Sequence, residues 1–319
     1  MIFASHIEQT FQRFSKLKRT KKTVVFPVIT DLHSILEDID PCEPGLRNSL
    51  NVIEALHQAD TLFDFDFFAD LGDTGLGLPH NRPAAKGHAL LQAYVSAHRQ
   101  TEKPFFVCMG NHDYEKNVSD SQSFGEIMNR INLHRGHAFH FGENASYGFF
   151  DLPGKKVRIF FLNTGDGNPY GLDQTQLVFL EKSLQLPSGW HSLIFMHKCP
   201  HKNGNWVSEN EKPVPESFLR FERIVKNAGN VGGIFCGDSH FDTEFRIGTI
   251  PGFVSQGYGG VAEKSMPEGA RKNPFNSRED LLAEIVVYDP ETKRIEILRL
   301  GVKDAAADRS GEPSLPGGS

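Results

Sequence analysis

The sequence has few cysteines and no excess of positive charge. Its four cysteines, among 319 residues, are Cys42, Cys108, Cys199 and Cys236. They show no C-x-x-C pair, so we predict no disulfide framework. The net charge of −6 argues against an extended nucleic-acid surface, although it allows a local basic pocket.

The sequence also lacks a long apolar run. No stretch approaches the ~18 residues that a membrane-spanning helix requires. The basic cluster from Lys16 to Lys22 precedes only the short apolar run from Val24 to Ile29, which is not the pattern of a signal peptide. We therefore expect no transmembrane segment and a cytoplasmic location.

The composition is that of a globular protein, with 39% hydrophobic and 23% charged residues, and its 26 phenylalanines indicate a well-filled core. The length fits one large domain with small additions. Residues 1–22 contain apolar side chains at helical spacing and predict an amphipathic N-terminal helix, either docked on the domain or binding a membrane or partner. We assign residues 23–303 to the domain and predict a disordered tail at 304–319.

Apolar strand-like runs alternate with helical patterns over the first half of the chain, which indicates an α/β fold. Predicted strands end just before Asp31, Asp73 and Asn111. Ligands collect beyond the carboxyl ends of strands in such sheets, so we expect these residues to converge. The polar stretch His201–Pro215 follows another strand end and is a candidate rim of the same pocket.

Five short motifs place metal-ligating residue types after these strands. They are Asp31-x-His33, Gly72-Asp73, Gly110-Asn111-His112-Asp113, His197 and Gly237-Asp238-Ser239-His240. Carboxylate, amide and imidazole groups are natural ligands for divalent ions, and two adjacent ions can clamp a phosphate ester. A single such residue is usually a cap or a surface group, so the prediction depends on the whole set.

The ordered set resembles the calcineurin-like metallophosphoesterases, from about Thr23 to about His240. The resemblance implies a four-layer αββα sandwich of two face-to-face mixed β-sheets. It also implies two divalent ions. Asp31, His33 and His240 would bind the first ion, Asn111 and His197 the second, and Asp73 would bridge them. The implied activity is hydrolysis of a small phosphomonoester or phosphodiester by a metal-bridging hydroxide.

The histidine of the third motif has a separate role in this family. His112 would face the substrate phosphate and protonate the leaving oxygen, because an imidazole with a pKa near ~6.5 can donate a proton at neutral pH. Asp113 has two alternative roles, orientation of His112 or capping of the turn.

The last motif departs from the family pattern Gly-His-x-His, since Asp238 replaces the first histidine. A carboxylate there either binds the second ion, directly or through water, or is too short to reach it. Ligation by Asp238 would favour harder ions, so among Mn²⁺, Fe, Zn²⁺ and Mg²⁺ we favour Mn²⁺.

Three further residues are candidate substrate contacts. Arg82, Arg135 and His137 lie in polar segments, and a guanidinium suits phosphate oxygens. A solvated loop is the alternative for each of them. Two other functions are alternatives to hydrolysis of a small phosphate ester. One is a scaffold of this family that binds protein partners without activity. The other is a nuclease, which the acidic charge balance disfavours.

Overall fold

A computed structural model describes residues 3–34, 46–75, 84–114, 124–130, 137–165, 172–205, 212–258, 263–271, 281–301 and 308–311. Within these ranges the strands form two sheets, with the orders β13-β12-β11-β1-β2-β3 and β4-β5-β6-β7-β8-β10-β9. The strands are β1 Val24–Ile29, β2 Phe68–Asp70, β3 Phe105–Val107, β4 Phe139–Phe141, β5 Gly148–Leu152, β6 Val157–Leu162, β7 His191–Met196, β8 Val231–Cys236, β9 Thr243–Ile247, β10 Ile250–Val254, β11 Leu282–Asp289, β12 Arg294–Gly301 and β13 Arg309–Gly311.

Helices cover the outer faces of both sheets. On the six-stranded sheet lie α1, α2 and α3, and on the seven-stranded sheet lie α5 and α6. The helices are α1 Ala4–Phe14, α2 Leu46–Phe63, α3 Ala84–His98, α4 Asn111–Tyr114, α5 Gln174–Ser183 and α6 Glu216–Ala228. This is the four-layer αββα sandwich predicted from the sequence, with both parallel and antiparallel strands in each sheet.

Phenylalanines fill the layer between the two sheets. Phe26 contacts Phe67 of its own sheet, with ring centroids 4.6 Å apart, and Phe195 of the other sheet at 5.4 Å. Phe106 lies 5.0 Å from the same Phe195 ring. Each fully buried phenylalanine contributes roughly 1.5–3 kcal/mol to stability. The many phenylalanines therefore form the apolar interface that holds the two sheets together.

The N-terminal helix α1 docks on the domain. Phe14 is fully buried and its ring lies 4.8 Å from that of Phe63 in α2. The hydroxyl of Thr10 donates a hydrogen bond to the carbonyl of Arg299 in β12 at 3.0 Å. The apolar face of α1 is thus packed against the protein, which favours the docked alternative over membrane binding. None of the helices in the described part of the chain has the length and hydropathy that crossing a membrane requires.

The prediction of a disordered tail at 304–319 is wrong for Arg309–Gly311. These residues form β13, which pairs antiparallel with β12. Arg309 is buried, forms an ion pair with Glu284, and donates a hydrogen bond to the carbonyl of Val254 at 2.9 Å. A polar segment is ordered here because its charge is neutralised inside the protein, which apolar periodicity cannot indicate.

Candidate metal centre

The predicted ligands lie just beyond the carboxyl ends of strands in both sheets. In the six-stranded sheet, β1, β2 and β3 run parallel, and Asp31, Asp73 and Asn111 follow their carboxyl ends. In the other sheet, the parallel strands β7 and β8 precede His197 and Asp238. Because parallel strands end on the same side, motifs far apart in the sequence converge there.

Five of the predicted ligands have a left-handed backbone conformation. The φ angles are 52° at Asp31, 47° at His33, 53° at Asp73, 68° at Asp238 and 55° at His240. This region costs L-residues roughly 1–2 kcal/mol each, and such conformations concentrate at functional sites. An extended segment at Asp31-x-His33 would also place both side chains on one side. Because both residues have left-handed φ angles, this segment is not extended.

Two glycines allow the ligand-bearing turns to pack in contact. Gly72 has a φ of 102°, and a Cβ there would lie 2.6 Å from the carbonyl oxygen of Cys108. A Cβ at Gly110 would lie 2.1 Å from Oδ1 of Asp73. A side chain at either position would push apart the turns that carry Asp73 and Asn111.

Asp31, His33 and His240 form the first cluster of candidate ligands. Nε2 of His240 lies 3.2 Å from Oδ1 of Asp31 and 3.1 Å from Nε2 of His33. The other carboxylate oxygen of Asp31 accepts hydrogen bonds from the Thr30 hydroxyl at 2.6 Å and from the backbone N–H of Asp238 at 3.1 Å. Ligand atoms about 2.1 Å from one ion lie roughly 3–3.5 Å apart, so this cluster fits a single metal ion.

Asp73 lies between this cluster and His197. Its Oδ2 is 3.2 Å from Nε2 of His197. The ligand atoms of Asp73 lie within 4.8 Å of those of Asp31 and His197 in one group, and of those of His33 and His112 in another. A carboxylate in this position can offer one oxygen to each of two ions, as the bridging role requires.

The His197 ring has its orientation set by a backbone carbonyl. Its Nδ1 lies 2.8 Å from the carbonyl oxygen of Leu71, so a proton on Nδ1 leaves the lone pair of Nε2 directed at the carboxylates. Burial opposes a charge on the ring, but the carboxylates of Asp73 and Asp238 outweigh it and raise the pKa of His197 above its usual value. Two carboxylates around one nitrogen call for a cation there, either a proton or a metal.

Buried atoms that lack hydrogen bonds also fit a metal. Within the described residues, Oδ1 of Asn111 and Nε2 of His197 are buried and have no hydrogen-bond partner, whereas buried polar atoms are nearly always paired. Burial lowers the pKa of His33 to about 4, which keeps this imidazole neutral and able to bind a metal. The donor set of carboxylates, imidazoles and an amide is compatible with a dimetal centre.

Asp238 lies beside the second half of the centre. Its Oδ1 is 3.4 Å from Nε2 of His197, and 10% of its side chain is exposed. It is absent from the three-residue groups whose ligand atoms all lie within 4.8 Å of one another in the described part of the chain. The carboxylate is therefore adjacent to a predicted ligand of the second ion, and its own ligation stays a prediction.

Asp113 accepts hydrogen bonds from two backbone segments of the centre, the one at Asp73–Gly75 and the one at Gly110. Its Oδ2 accepts hydrogen bonds from the N–H groups of Asp73 at 2.9 Å and Gly110 at 3.0 Å, and its Oδ1 accepts one from Gly75 at 3.0 Å. Of the two roles considered for Asp113, these bonds support fixing the turns. Asp113 positions Asp73 directly.

His112 is the most exposed imidazole of the site. Its side chain is 30% exposed, whereas those of His33, His197 and His240 are at most 13% exposed. Its backbone N–H donates to Oδ1 of Asp73 at 2.8 Å, and its Nε2 lies 3.9 Å from Oδ2 of the same residue. This ring can meet a molecule arriving from solvent, although its place in a group with His33 and Asp73 also allows metal ligation.

Of the three predicted substrate contacts, His137 lies within the described residues, and the structure does not bring it to this site. Nε2 of His137 donates a hydrogen bond to the carbonyl oxygen of Glu102 at 2.6 Å. Glu102 precedes β3, whereas Asn111 and His112 follow its carboxyl end. The structure thus places His137 at the far end of that strand. Arg82 and Arg135 lie outside the described residues.

Several supporting groups were missed by sequence reasoning. The Thr30 hydroxyl fixes Asp31, the Leu71 carbonyl fixes His197, and the Ser239 hydroxyl donates to the carbonyl of Gly204 at 2.6 Å. A hydroxyl next to a predicted ligand is a weak signal that could have drawn attention to Thr30 and Ser239. A backbone carbonyl leaves no trace in the sequence.

Comparisons with known proteins agree with this geometry. The profile of the family described as calcineurin-like phosphoesterase matches residues 25–242, more than half of the chain. The chain therefore belongs to the calcineurin-like phosphoesterase family and is a metallophosphoesterase, as predicted. Metal-dependent phosphoester hydrolysis is the activity of this class.

The individual relatives share little sequence identity with this chain. The 3',5'-cyclic adenosine monophosphate phosphodiesterase CpdA of Vibrio vulnificus (strain CMCP6) is 27% identical over 181 residues, which cover 56% of this chain and 56% of that protein. The match thus spans only about half the length of this relative.

Two solved structures share the fold. A dimetal phosphatase of Danio rerio has a TM-score of 0.59 at 13% identity, covering 91% of this chain and 99% of that one. The purple acid phosphatase PPD1 of yellow lupin has a TM-score of 0.54 at 12% identity, covering 91% and 53% respectively.

Proposed function

We propose that this protein hydrolyses a small phosphomonoester or phosphodiester at a centre of two divalent ions, with Mn²⁺ favoured. Asp31, His33, Asp73 and His240 would hold the first ion. Asp73, Asn111, His197 and Asp238 would hold the second. The observation that carries the proposal is the Asp73 carboxylate, which lies 3.2 Å from His197 and within 4.8 Å of ligand atoms in the first cluster.

The chain's own residues would orient the substrate and move one proton. When bound, a pair of divalent ions neutralises phosphoryl oxygens and supplies a deprotonated water near neutral pH. His112 would donate a proton from its imidazolium to the ester oxygen that departs, and so release a neutral alcohol. Asp113 would keep the Asp73 turn in place while charge develops, through its bonds to the N–H groups of Asp73 and Gly110.

The relative from Vibrio vulnificus is named as a phosphodiesterase of cyclic adenosine monophosphate, which supports including phosphodiesters among the substrates. The exposed His112 ring is compatible with either ester class, since both release an alcohol that needs a proton. No feature of the described residues favours the scaffold or nuclease alternatives over hydrolysis.

The test is metal loading followed by a substrate panel. The protein would be stripped with chelator, reloaded with Mn²⁺, Zn²⁺ or Mg²⁺, and assayed on 4-nitrophenyl phosphate, bis(4-nitrophenyl) phosphate and cyclic adenosine monophosphate. We expect two equivalents of metal, and hydrolysis that appears only after loading and is abolished in Asp73→Ala. Metal binding without hydrolysis of any ester would contradict the proposal and favour the scaffold.

A further inference from the structure

A short segment after β6 lies between two turns that carry predicted ligands of the second ion. Its residues Asn163, Thr164 and Gly165 follow the carboxyl end of β6, and all three are buried. Strand β6 pairs in parallel with β7, which precedes His197. The segment therefore emerges at the same end of the sheet as His197.

The peptide group between His197 and Lys198 is held on both of its sides. Its carbonyl, from His197, accepts a hydrogen bond from the N–H of Gly237 at 2.8 Å. Its N–H, from Lys198, donates to the hydroxyl oxygen of Thr164 at 2.8 Å. Because a peptide group is planar, these two bonds together fix the direction in which the backbone presents the His197 side chain. Thr164 supplies one of the two.

The next residue, Gly165, touches the turn that carries Asn111. A Cβ at Gly165 would lie 2.4 Å from the carbonyl oxygen of Gly110 and 2.5 Å from that of Met109. The absence of a side chain permits this close approach, and Gly110 directly precedes Asn111. Residues 164 and 165 thus form a bridge between the turn of His197 and the turn of Asn111, and we call them the Thr164–Gly165 bridge.

The bridge is anchored to the body of the protein. The side-chain amide of Gln176, in α5, accepts a hydrogen bond from the N–H of Asn163 and donates one to its carbonyl, both at 2.9 Å. The side-chain oxygen of Asn163 accepts a hydrogen bond from the N–H of Gly165 at 3.0 Å. Since Gln176 and Asn163 are buried as well as hydrogen-bonded, this network fixes the position of the bridge.

The two turns joined by the bridge carry donor atoms for the second ion. Oδ1 of Asn111 and Nε2 of His197 are both buried without a hydrogen-bond partner among the described residues. In the first cluster, by contrast, Asp31 is held by the Thr30 hydroxyl and by the backbone N–H of Asp238. A change in the bridge should therefore alter the second metal site and spare the first.

We infer that the Thr164–Gly165 bridge sets the spacing between Asn111 and His197, and thereby the affinity for the second metal ion. Thr164 is a positioning residue in this assignment. It does not itself bind metal, and it acts through the peptide group that follows His197. This inference rests on the two-ion centre proposed above and names a residue that controls one of its two sites.

The test compares Thr164→Val with Thr164→Ser in calorimetric titrations of the metal-free protein with Mn²⁺. Valine has the shape of threonine but lacks the oxygen that accepts the bond from Lys198, whereas serine retains that oxygen. The matched control is Thr23→Val. Thr23 is also buried, and its hydroxyl oxygen accepts a hydrogen bond from the N–H of Thr20 at 2.8 Å. It precedes β1, at the end of that strand away from Asp31.

We expect the parent to bind two Mn²⁺ ions. Thr164→Val should weaken the second ion about 10–100-fold and change the affinity for the first less than about twofold. Thr164→Ser and Thr23→Val should bind both ions as the parent does, even where Thr23→Val lowers the melting temperature as much as Thr164→Val. Equal weakening of both ions in Thr164→Val, unchanged binding of both, or weakening of the second ion in Thr23→Val would overturn the inference.

Gly165→Ala tests the other half of the bridge and applies even if Thr164→Val does not fold. The added methyl group must displace the turn at Gly110, so the second ion should again bind more weakly. The matched control is Gly154→Ala, because a Cβ at Gly154 would meet no atom of the described residues within 4 Å. A Gly165→Ala protein with the parent's affinity for the second ion would overturn the inference.

Metal binding and ester hydrolysis together separate failure of this inference from failure of the proposed function. Selective weakening of the second ion in Thr164→Val, with no ester hydrolysed by the parent, would retain the bridge and reject the phosphoesterase proposal. Hydrolysis by the parent, with both ions bound equally tightly by parent and Thr164→Val, would retain the phosphoesterase and reject the bridge. A parent that binds only one ion would reject the two-ion centre and the bridge with it.

Discussion

Two Asp-x-His motifs face each other across the site. They have the same backbone conformation but different surroundings. Asp31-x-His33 and Asp238-x-His240 both have positive φ at the aspartate and at the histidine. Asp31 is fully buried, and one of its oxygens accepts two hydrogen bonds. The side chain of Asp238 is 10% exposed, and its Oδ1 lies 3.4 Å from Nε2 of His197.

The difference shows that backbone geometry alone does not fix the role of a carboxylate. At Asp31, bonds from Thr30 and from the backbone of Asp238 leave one oxygen directed toward imidazole nitrogens. At Asp238, the corresponding support is missing from the described contacts of its side chain. We therefore expect the first turn to bind its metal ion tightly. The second turn should modulate the affinity of a weaker metal site.

The largest effect is expected at the first turn. Asp31→Ala should remove the first ion and lower kcat/KM by at least about 10³-fold, since the loss of one electrostatic contact to the developing charge already costs roughly 10²–10³-fold. Elemental analysis and steady-state kinetics would check both quantities. An Asp31→Ala protein that binds two ions and retains activity would eliminate the distinction between the turns.

Removal of the exposed imidazole should lower activity while leaving both turns and both ions in place. His112→Ala should lower kcat about 10²–10⁴-fold while metal content stays near two equivalents. The loss should be smaller for 4-nitrophenyl esters than for alkyl esters, because a good leaving group needs less protonation. A variant that loses an ion would show that His112 is a ligand. His137→Ala, at the amino end of β3, is the matched histidine control and should behave as the parent.

The second turn can be altered without destroying the first. Asp238→Ala should weaken the second ion about 10–100-fold and leave the first nearly unchanged. Asp238→His should tighten Zn²⁺ binding and shift the metal that gives the highest rate, because an imidazole replaces a hard oxygen donor. Metal titration of both variants decides the matter. If Asp238→Ala binds two ions as tightly as the parent, Asp238 does not serve the metal.

The smallest effect is expected in the stability of the metal-free protein. Burial lowers the pKa values of His197 and His240, but nearby carboxylates outweigh it and raise both pKa values above the usual 6.5. A raised histidine pKa stabilises the fold fully below the unfolded value, and this stability is lost as pH rises through the folded pKa. The melting temperature of the metal-free protein should therefore fall by a few degrees, about 2–8 °C, between pH 6 and pH 9.

Saturating Mn²⁺ should reverse this trend. Metal binding requires deprotonated ligands, so the stabilisation by Mn²⁺ should increase over the same pH range. Differential scanning calorimetry with and without Mn²⁺ gives both curves. Parallel curves would indicate that the ion binds away from His197 and His240.

The local parts of this centre could be predicted from sequence. Strand ends before Asp31, Asp73 and His197 follow from apolar runs that stop at polar residues, and these ends converge because their strands are parallel. The left-handed turns at both Asp-x-His motifs could not be predicted, because they depend on contacts between distant segments, such as the N–H of Asp31 with the carbonyl of Gly72 at 2.8 Å.

Two further elements of the fold, the β9–β10 hairpin and strand β13, were not predicted from the sequence. The hairpin of β9 and β10, around Gly248 with a φ of 64°, has alternating burial in β9 that a closer reading of the pattern would have detected. Strand β13 offered no such signal, since Arg309 is ordered by Glu284, a residue of another strand. Burial of a charge depends on a partner that only the folded chain brings near.

The central claim is that Asp73 is shared by two metal ions, and anomalous scattering from crystals grown with Mn²⁺ tests it most directly. The account predicts two manganese peaks roughly 3.5–4 Å apart, one beside Asp31, His33 and His240 and the other beside Asn111 and His197, each with an oxygen of Asp73 about 2.2 Å away. A single peak, or two peaks with no contact to Asp73, would contradict it.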